Sequence, residues 1–211
     1  MEMMEYDAEK REIYSDKIIN ELDKFAIDFV SILERCKIEY VIVSGYVSII
    51  FGRSRATEDV DMFIAPMDFL KFKELFDYLL KCEYECINTL IPEEAFEMIR
   101  EHGIRFFKKG RPIPNIEFKI IKRATDKYSF DNKITLFLRK ANKHLFISPL
   151  EIHIAFKLLL AADGTDEELR SDKDIEDARF VYKLFNGKIN KDELSYWINE
   201  FDVRGKFKWI K

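Results

Sequence analysis

Residues 43–61 decide the fold, and they read VSGYVSIIFGRSRATEDVD. The β-branched run Tyr40–Val43 before them predicts a short buried strand. Tyr46–Phe51 predicts a short helix that ends at Gly52, because glycine commonly follows the last residue of a helix. Alternating acidic and apolar residues over Asp59–Ile64 predict a second strand. A strand, a short helix and a second strand in succession indicate a chain that mixes helices with a sheet.

Two aspartates of the second strand, Asp59 and Asp61, are expected to face the same way. Side chains two apart on a strand point to one face, and the residues that alternate with them look like core: Val60, Met62 and Ile64. Neighbouring carboxylates repel each other, and a divalent cation removes that penalty. The pair therefore indicates a Mg²⁺ site. Taken alone, a solvated strand edge explains it equally well.

The residues before the aspartates fit a polyphosphate ligand. Gly45 follows a strand and precedes a helix, where unpaired backbone N–H groups can bind phosphate. Arg53 and Arg55 flank the loop that enters the second strand, and they can neutralise triphosphate charge. Either arginine alone can also be an ordinary surface residue.

These motifs resemble the DNA polymerase beta-like nucleotidyltransferase superfamily, in particular its AbiEii-type branch, found as toxins of type IV toxin–antitoxin pairs. The family pattern is a G-G or G-S pair, a short helix and then R-x-T-x-D-x-D. It corresponds here to Ser44-Gly45-Tyr46-Val47 and to the series Arg53-x-Arg55-x-Thr57-x-Asp59-x-Asp61. Ser44 takes the place of the first glycine in a G-G alignment. In a G-S alignment, Tyr46 stands where the phosphate-binding serine would be.

The resemblance implies a third carboxylate on a neighbouring strand, and Glu117 is the candidate. It alternates with Ile116 and Phe118, which are expected to face the core. The family more often has aspartate at this place, so the longer side chain is a departure. A surface glutamate on a strand is the alternative.

The resemblance also extends to a helical tail with the pattern S-P-x-x-L…K-L. Lys157 lies there in an apolar helix, so its ammonium needs a partner or a pocket. By resemblance it would touch nucleotide phosphate or a catalytic carboxylate, and the alternative is a lysine that extends to solvent. Asp174 and Asp177 lie three apart on one helix face, where they would orient Lys157 or form a structural salt bridge.

The implied activity is transfer of a nucleoside monophosphate from a nucleoside triphosphate to an acceptor hydroxyl on RNA such as tRNA, a protein or a small molecule. Asp59, Asp61 and Glu117 would hold Mg²⁺ or Mn²⁺, and Lys157 would complete the catalytic set. The residues expected to contact the nucleotide are Ser44, Gly45, Arg53, Arg55 and Thr57. An antitoxin partner is implied as well. The alternatives are a catalytically inactive nucleotide- or partner-binding domain of this fold, and a structural helical adaptor.

The expected class is α+β. A small mixed sheet flanked by helices, with an N-terminal helix, would occupy residues 1–147, and a helical region packed on it would occupy residues 148–211. Residues 1–16 are charged and are expected to fray or to form a loose helix. Ser148 and Glu151 have the spacing of a capping box at the start of the helical region. Residues 163–169 are expected to form an acidic loop.

Composition limits the remaining choices. The 211 residues are 47% hydrophobic, which is enough for a core, and the net charge of −4 gives no global basic field for nucleic acid. A local basic stretch is either a nucleic-acid site or a solvated hairpin: Lys108, Lys109, Arg111, Lys119, Lys122 and Arg123. Three cysteines fit a reducing cytosol. No signal peptide and no apolar run of about 20 residues are evident, so a cytoplasmic protein without a membrane partner is expected.

Overall fold

The computed structural model of the chain describes residues 4–211, apart from the side chains of Asp166 and Arg170. Nine strands are present in this part of the chain: β1 (Met4–Asp7), β2 (Glu12–Ser15), β3 (Tyr40–Val43), β4 (Asp59–Ile64), β5 (Tyr84–Cys86), β6 (Ile104–Lys108), β7 (Arg111–Ile120), β8 (Ile134–Leu138) and β9 (Lys143–Ile147). The helices that precede residue 148 are α1 (Glu21–Arg35), α2 (Gly45–Ile50), α3 (Phe69–Lys81), α4 (Pro92–Glu101), α5 (Ala124–Asp131) and a 3₁₀ turn at Arg139–Ala141. Those that follow are α6 (Leu150–Leu160), α7 (Asp166–Ser171), α8 (Lys173–Leu184), α9 (Lys191–Glu200) and α10 (Arg204–Phe207).

All nine strands form one mixed sheet in the order β1-β2-β8-β9-β3-β4-β7-β6-β5. The strands that contain the predicted site residues, β3, β4 and β7, are neighbours in the middle of the sheet. β3 pairs antiparallel with β4, and β4 pairs parallel with β7. The mixed α/β architecture is as expected, but the prediction of a small sheet is wrong.

The two faces of the central strands differ in character. Phe29 of α1 packs against Phe106 of β6 and Phe118 of β7, with ring centroids 6.0 and 5.8 Å apart. All three rings are completely buried. Because side chains alternate along a strand, the residues next to Phe118 lie on the opposite face. That second face carries the acids, and α5 contacts β3 and β4 there.

The expected loose N-terminal segment is instead a hairpin, as far as it is described. β1 pairs antiparallel with β2, and β2 continues the sheet by pairing parallel with β8. Ile13 is fully buried and anchors β2. Charged residues on the exposed face hide the two-residue period in the sequence. The prediction for residues 1–3 lies outside the described residues.

The start of the helical region also differs from the prediction. The N-cap position of α6 is occupied by Pro149, not by Ser148, and no side chain forms a capping hydrogen bond at that end. The Glu151 carboxylate accepts a hydrogen bond from the backbone N–H of Asn190 at 2.8 Å. The predicted capping box is therefore wrong, because Glu151 ties α6 to the start of α9. The domain boundary at residue 148 stays a prediction.

The predicted acidic loop is partly helical, since α7 begins within it after the cap residue Thr165. The helix α5 is not predicted by the sequence, because its residues lack a clear apolar period. Within residues 4–211, no helix combines the length and the apolar character needed to cross a bilayer.

Candidate active site

Asp59 and Asp61 lie on the same face of β4, as their spacing predicts. Both are half-buried, whereas the three residues that alternate with them are completely buried: Val60, Met62 and Ile64. The Thr57 hydroxyl donates a hydrogen bond to the backbone carbonyl of Asp59 at 3.1 Å and lies 3.2 Å from its Oδ1. Thr57 therefore holds Asp59 at the point where the chain enters the strand.

Glu117 lies directly beside Asp61 on the parallel strand β7. The register pairs Asp61 with Glu117, and Asp59 with Asn115. A side-chain hydrogen bond joins the carboxyl groups of Asp61 and Glu117. The three candidate carboxylates thus share one face of two neighbouring strands, and we call them the acidic face.

The two adjoining carboxyl groups titrate as a pair. Burial raises the pKa of Asp61 from its ordinary 3.8 to about 7, and the hydrogen bond and charge of Glu117 add to the rise. Burial also acts to raise the pKa of Glu117, but the hydrogen bond with Asp61 and the ammonium of Lys119 outweigh it and hold that pKa below its ordinary value. Asp61 therefore binds a proton more readily than an ordinary aspartate does, and a bound cation would compete with that proton.

Lys119 lies against the acidic face, and it was not predicted as a site residue. Its Nζ lies 3.1 Å from Glu117 Oε1 and 3.4 Å from Asp61 Oδ1. Arg105, from the adjoining strand β6, also approaches Glu117 at 3.4 Å. The signal was present in the sequence, because Lys119 follows Glu117 by two residues and so shares its face.

Three other lysines of the basic stretch are paired with acids or with a carbonyl group. Lys108 Nζ lies 2.8 Å from Asp28, Lys109 Nζ lies 3.7 Å from Glu85, and Lys122 Nζ donates to the carbonyl of Glu101 at 2.6 Å. These contacts favour the solvated hairpin over a free nucleic-acid patch.

Ser44, at the end of β3, has a strained backbone. Its φ of 62° and ψ of −145° lie in a region that is almost exclusive to glycine. The side chain makes no cap hydrogen bond to α2 and lines a cavity beside Asp61. A serine kept in this conformation next to the acidic face suggests a role in ligand contact.

Ser44→Gly is expected to raise the free energy of unfolding by about 1 kcal/mol or more, because glycine removes a strain of roughly 1–3 kcal/mol. Urea unfolding of the two proteins measures the difference. Ser195→Gly on the exposed side of α9 is the matched control, and it should lower stability by about 0.5 kcal/mol. A Ser44→Gly protein no more stable than the wild type would contradict the strain.

The Arg55 side chain lies against Gly45. A Cβ atom at Gly45 would clash with the Arg55 guanidinium. That guanidinium donates two hydrogen bonds to Asp177 of α8, from Nε at 3.0 Å and from Nη2 at 2.8 Å. Arg55 therefore lies over the turn where the sequence predicts bound phosphate.

Lys157 and the two predicted arginines converge on α8. Lys157 Nζ lies 2.6 Å from Asp174 Oδ1 and 3.0 Å from Asp177 Oδ2, and Arg53 Nε lies 3.8 Å from Asp177 Oδ1. We call this group the Asp177 cluster: Arg53, Arg55, Lys157, Asp174 and Asp177. The predicted site residues therefore form two groups, and Lys157 contacts the acids expected to orient it, not the acidic face.

The Tyr46 side chain points away from the turn at Ser44 and Gly45, where phosphate is predicted to bind. It is completely buried, and its hydroxyl donates to Asp23 Oδ1 at 2.9 Å. Asp23 also pairs with the buried Lys17 at 2.9 Å. The Tyr46 hydroxyl is thus committed to the core, and it does not replace the serine of the G-S alignment.

A cavity of about 250 Å³ lies between the acidic face and helices α5 and α6. Its lining includes apolar side chains from the sheet and α6, namely Phe63, Ile152 and Phe156. Three serines contribute hydroxyl groups: Ser44, Ser129 and Ser148. Charged groups in the lining are Asp61, Lys119 and Asp126. The cavity is therefore suited to a ligand that is apolar in part and charged at Asp61.

His153 also lines this cavity, but it does not supply positive charge. Burial, aided by the charge of Lys157, lowers its pKa to about 3. Its Nε2 lies 3.0 Å from the Ser48 hydroxyl on α2. The imidazole is neutral at physiological pH and links α6 to α2.

The donor set fits a divalent cation that arrives with phosphate. Across residues 4–211, His, Cys, Asp and Glu side chains nowhere gather in threes as a ready metal site. Mg²⁺ often needs only one or two carboxylates, with phosphate oxygens and water as its other ligands. Asp61 and Glu117 meet that need, because their hydrogen bond brings two carboxyl groups together beside Asp59.

The solved structures that are similar to this fold include an antigenic nucleotidyltransferase-like protein from Paracoccidioides brasiliensis. The chains are 19% identical, the match covers 88% of this chain and 89% of that one, and the TM-score is 0.50. The likeness supports the expected nucleotidyltransferase fold and shows the fold alone. No protein-family model matches the chain, and no curated protein is similar to it in sequence.

Proposed function

We propose that this chain is a metal-dependent nucleotidyltransferase. It would move a nucleoside monophosphate from a nucleoside triphosphate to an acceptor hydroxyl and release pyrophosphate. The observation that carries the proposal is the placement of Asp61 beside Glu117 on parallel strands, with Asp59 on the same face. The likeness in fold to a nucleotidyltransferase-like protein supports it.

The acidic face would bind Mg²⁺ or Mn²⁺ through Asp59, Asp61 and Glu117. Such ions, when bound, stabilise the charge that develops on the phosphate and activate the attacking oxygen. Glu117 either completes the metal site or accepts the proton of the acceptor hydroxyl. Lys119 is placed to exchange its two carboxylate partners for a phosphate oxygen, because its Nζ lies within 3.4 Å of both.

The Asp177 cluster would support the phosphate end of the nucleotide. Asp177 is completely buried and fixes Arg55 over Gly45, next to Ser44. An arginine fixed in this way offsets negative charge without first having to be ordered. Thr57, Arg53 and Lys157 then act by holding Asp59 and Asp177 in place.

Within the superfamily we place the chain in the AbiEii-type branch, on the residues Ser44 to Asp61. This placement implies a toxin with an antitoxin partner. The acceptor would be tRNA or another RNA, a protein or a small molecule. Free thiols at Cys36, Cys82 and Cys86 fit a reducing compartment such as the cytoplasm.

A catalytically inactive binding domain is the second candidate. The Lys119 ammonium lies between Asp61 and Glu117, where it neutralises the carboxylates as a cation would. Metal-dependent binding of a nucleoside triphosphate without any product would favour this candidate.

Asp59→Ala is expected to abolish incorporation of label from nucleoside triphosphates, because it removes a carboxylate from the acidic face. The assay incubates the protein with Mg²⁺ or Mn²⁺, each α-labelled nucleoside triphosphate, total RNA and cell lysate. Labelled RNA, protein or small molecules identify the acceptor.

Glu58→Ala is the matched control, because Glu58 is the exposed neighbour of Asp59. It should retain full incorporation, and both variants should keep the circular dichroism spectrum of the wild type. Normal incorporation by a folded Asp59→Ala protein would overturn the proposed function.

A further inference from the structure

We propose that the cavity beside Asp61 holds the nucleobase of the bound nucleotide, and that the Ser148 hydroxyl selects which base is accepted. This inference rests on the proposed function and adds a specificity-determining residue to it. It is carried by the Ser148 side chain, by the shape and lining of the cavity, and by the position of the charged groups.

Ser148 has a hydroxyl that the folded chain leaves unused. The residue is 3% exposed, and its Oγ has no hydrogen-bond partner among the described residues. A buried hydroxyl without a partner is unfavourable, and such groups in native proteins usually have a functional reason. Ser148 lines the cavity, so a ligand there would be its partner.

The backbone of Ser148 is fixed, so the hydroxyl has a defined position. Its N–H donates to the carbonyl of Ile42 on β3 at 2.9 Å, and Pro149 then begins the turn into α6. The side chain takes no part in capping that helix. A hydroxyl held by a strand on one side and a helix on the other is suited to recognise one arrangement of ligand atoms.

The lining of the cavity has an apolar part, which suits an uncharged ring, and a charged part, which would lie nearer the phosphates. Phe63, Ile152 and Phe156 offer apolar and aromatic contacts, which suit a flat ring and not a polyphosphate. Asp126, the acid outside the acidic face, already accepts hydrogen bonds from the N–H groups of Lys122 and Arg123 at 3.2 and 3.0 Å. The other ionisable groups near the sheet, Asp61 and Lys119, lie 3.4 Å apart at the acidic face, away from the apolar side chains of α6.

The volume agrees with a ring and not with a larger group. Pockets that enclose drug-sized ligands measure about 300–1,000 Å³, and this cavity measures about 250 Å³. It can therefore hold the base and leave the triphosphate on the acidic face. An RNA segment does not fit inside it, so an RNA acceptor would approach from outside.

A hydroxyl has one donor and two acceptor sites, so Ser148, with Ser129 also in the lining, would pair with the donor and acceptor groups on the edge of a base. One neutral hydrogen bond changes affinity by up to about tenfold. We therefore expect one of the four nucleoside triphosphates to bind about tenfold more tightly than the weakest of them.

Ser148→Ala tests the inference. The affinity for ATP, GTP, CTP and UTP, each with Mg²⁺, is measured by isothermal titration. The variant should lose about tenfold in affinity for the preferred nucleotide, and its affinity for the other three should fall by less. The melting temperature without ligand should rise by about 2–4 °C, because the change removes an unpaired buried hydroxyl. Ser195→Ala, at an exposed position of α9, should change neither quantity.

The outcomes separate this inference from the proposed function. Equal affinity of the wild type for all four nucleotides, or an unchanged preference in Ser148→Ala, would overturn the base pocket and leave nucleotidyl transfer standing. A fall in the melting temperature of Ser148→Ala would also overturn it, because the hydroxyl would then have a partner within the chain. Nucleotide preference that depends on Ser148, without any transfer product, would support the pocket and count against the enzyme. If none of the four nucleotides binds, both fail.

Discussion

Asp61→Asn is expected to abolish nucleotide transfer while it stabilises the folded chain at neutral pH. Asparagine keeps the size of the side chain and its hydrogen bond to Glu117, but it removes a charge that burial, and then the neighbouring Glu117, make unfavourable. The same change removes a ligand of the proposed metal ion. The loss of transfer should exceed the roughly 10–100-fold effect of removing an outer-shell partner of a bound metal.

The gain in stability depends on pH in a defined direction. Asp61 has a pKa of about 7 in the folded chain and an ordinary value of 3.8. Between these values the folded chain binds a proton that the unfolded chain has lost, so the contribution of Asp61 to stability falls as pH rises. The asparagine side chain has no proton to lose in this range. The Asp61→Asn variant should therefore match the wild type near pH 4 and exceed it at pH 8 by on the order of 2 kcal/mol.

Urea unfolding from pH 4 to pH 8, without divalent ions, measures this difference. Asp77→Asn on α3 is the control, because the Asp77 side chain is 46% exposed and pairs with Lys73 at 3.5 Å. Its effect should be below about 1 kcal/mol at every pH. If Asp61→Asn is less stable than the wild type at pH 8, the charge of Asp61 is not unfavourable in the folded chain and the pKa shift is contradicted.

The central strands could be predicted from the sequence because β3 is a continuous buried apolar run, whereas β4 alternates buried with half-buried residues. β3 and β4 have the predicted bounds, since the alternation of Asp59, Asp61 and the apolar residues between them fixes both the period and the face. The same logic placed Glu117 opposite Phe118. Local alternation is therefore enough to predict which side chains share the acidic face. It does not predict that β4 pairs with β7.

The pairing of distant side chains could not be predicted. Arg55 and Asp177 are 122 residues apart, and their contact depends on how α8 packs beside α2. Likewise, the sequence predicts a cap role for Ser148, whereas the structure leaves its hydroxyl buried, without a partner in the described part of the chain, in a residue that lines a cavity formed by five segments. The strands β1 and β2 were missed because β2 is joined to the sheet by a partner, β8, that follows more than a hundred residues later.

Asp177→Ala is expected to lower the free energy of unfolding by about 3–5 kcal/mol, because breaking a buried ion pair leaves an uncompensated charge in the interior. Asp177 is completely buried, and it pairs with Lys157, whose side chain is 3% exposed. It also accepts both hydrogen bonds from Arg55. Alanine removes all of these contacts at once, and Asp174 alone then remains to balance the Lys157 ammonium.

Glu176→Ala is the matched control, since Glu176 precedes Asp177 on α8 but has a side chain that is 34% exposed. Its loss should stay below about 1 kcal/mol, as is usual for exposed ion pairs. A double-mutant cycle of Asp177→Ala with Arg55→Met, followed by urea unfolding, should show a coupling of about 1–3 kcal/mol. Similar small losses for Asp177→Ala and Glu176→Ala would mean that Asp177 does not hold Arg55 and Lys157. The fixed position of Arg55 over Gly45, on which the phosphate contact depends, would then have no physical basis.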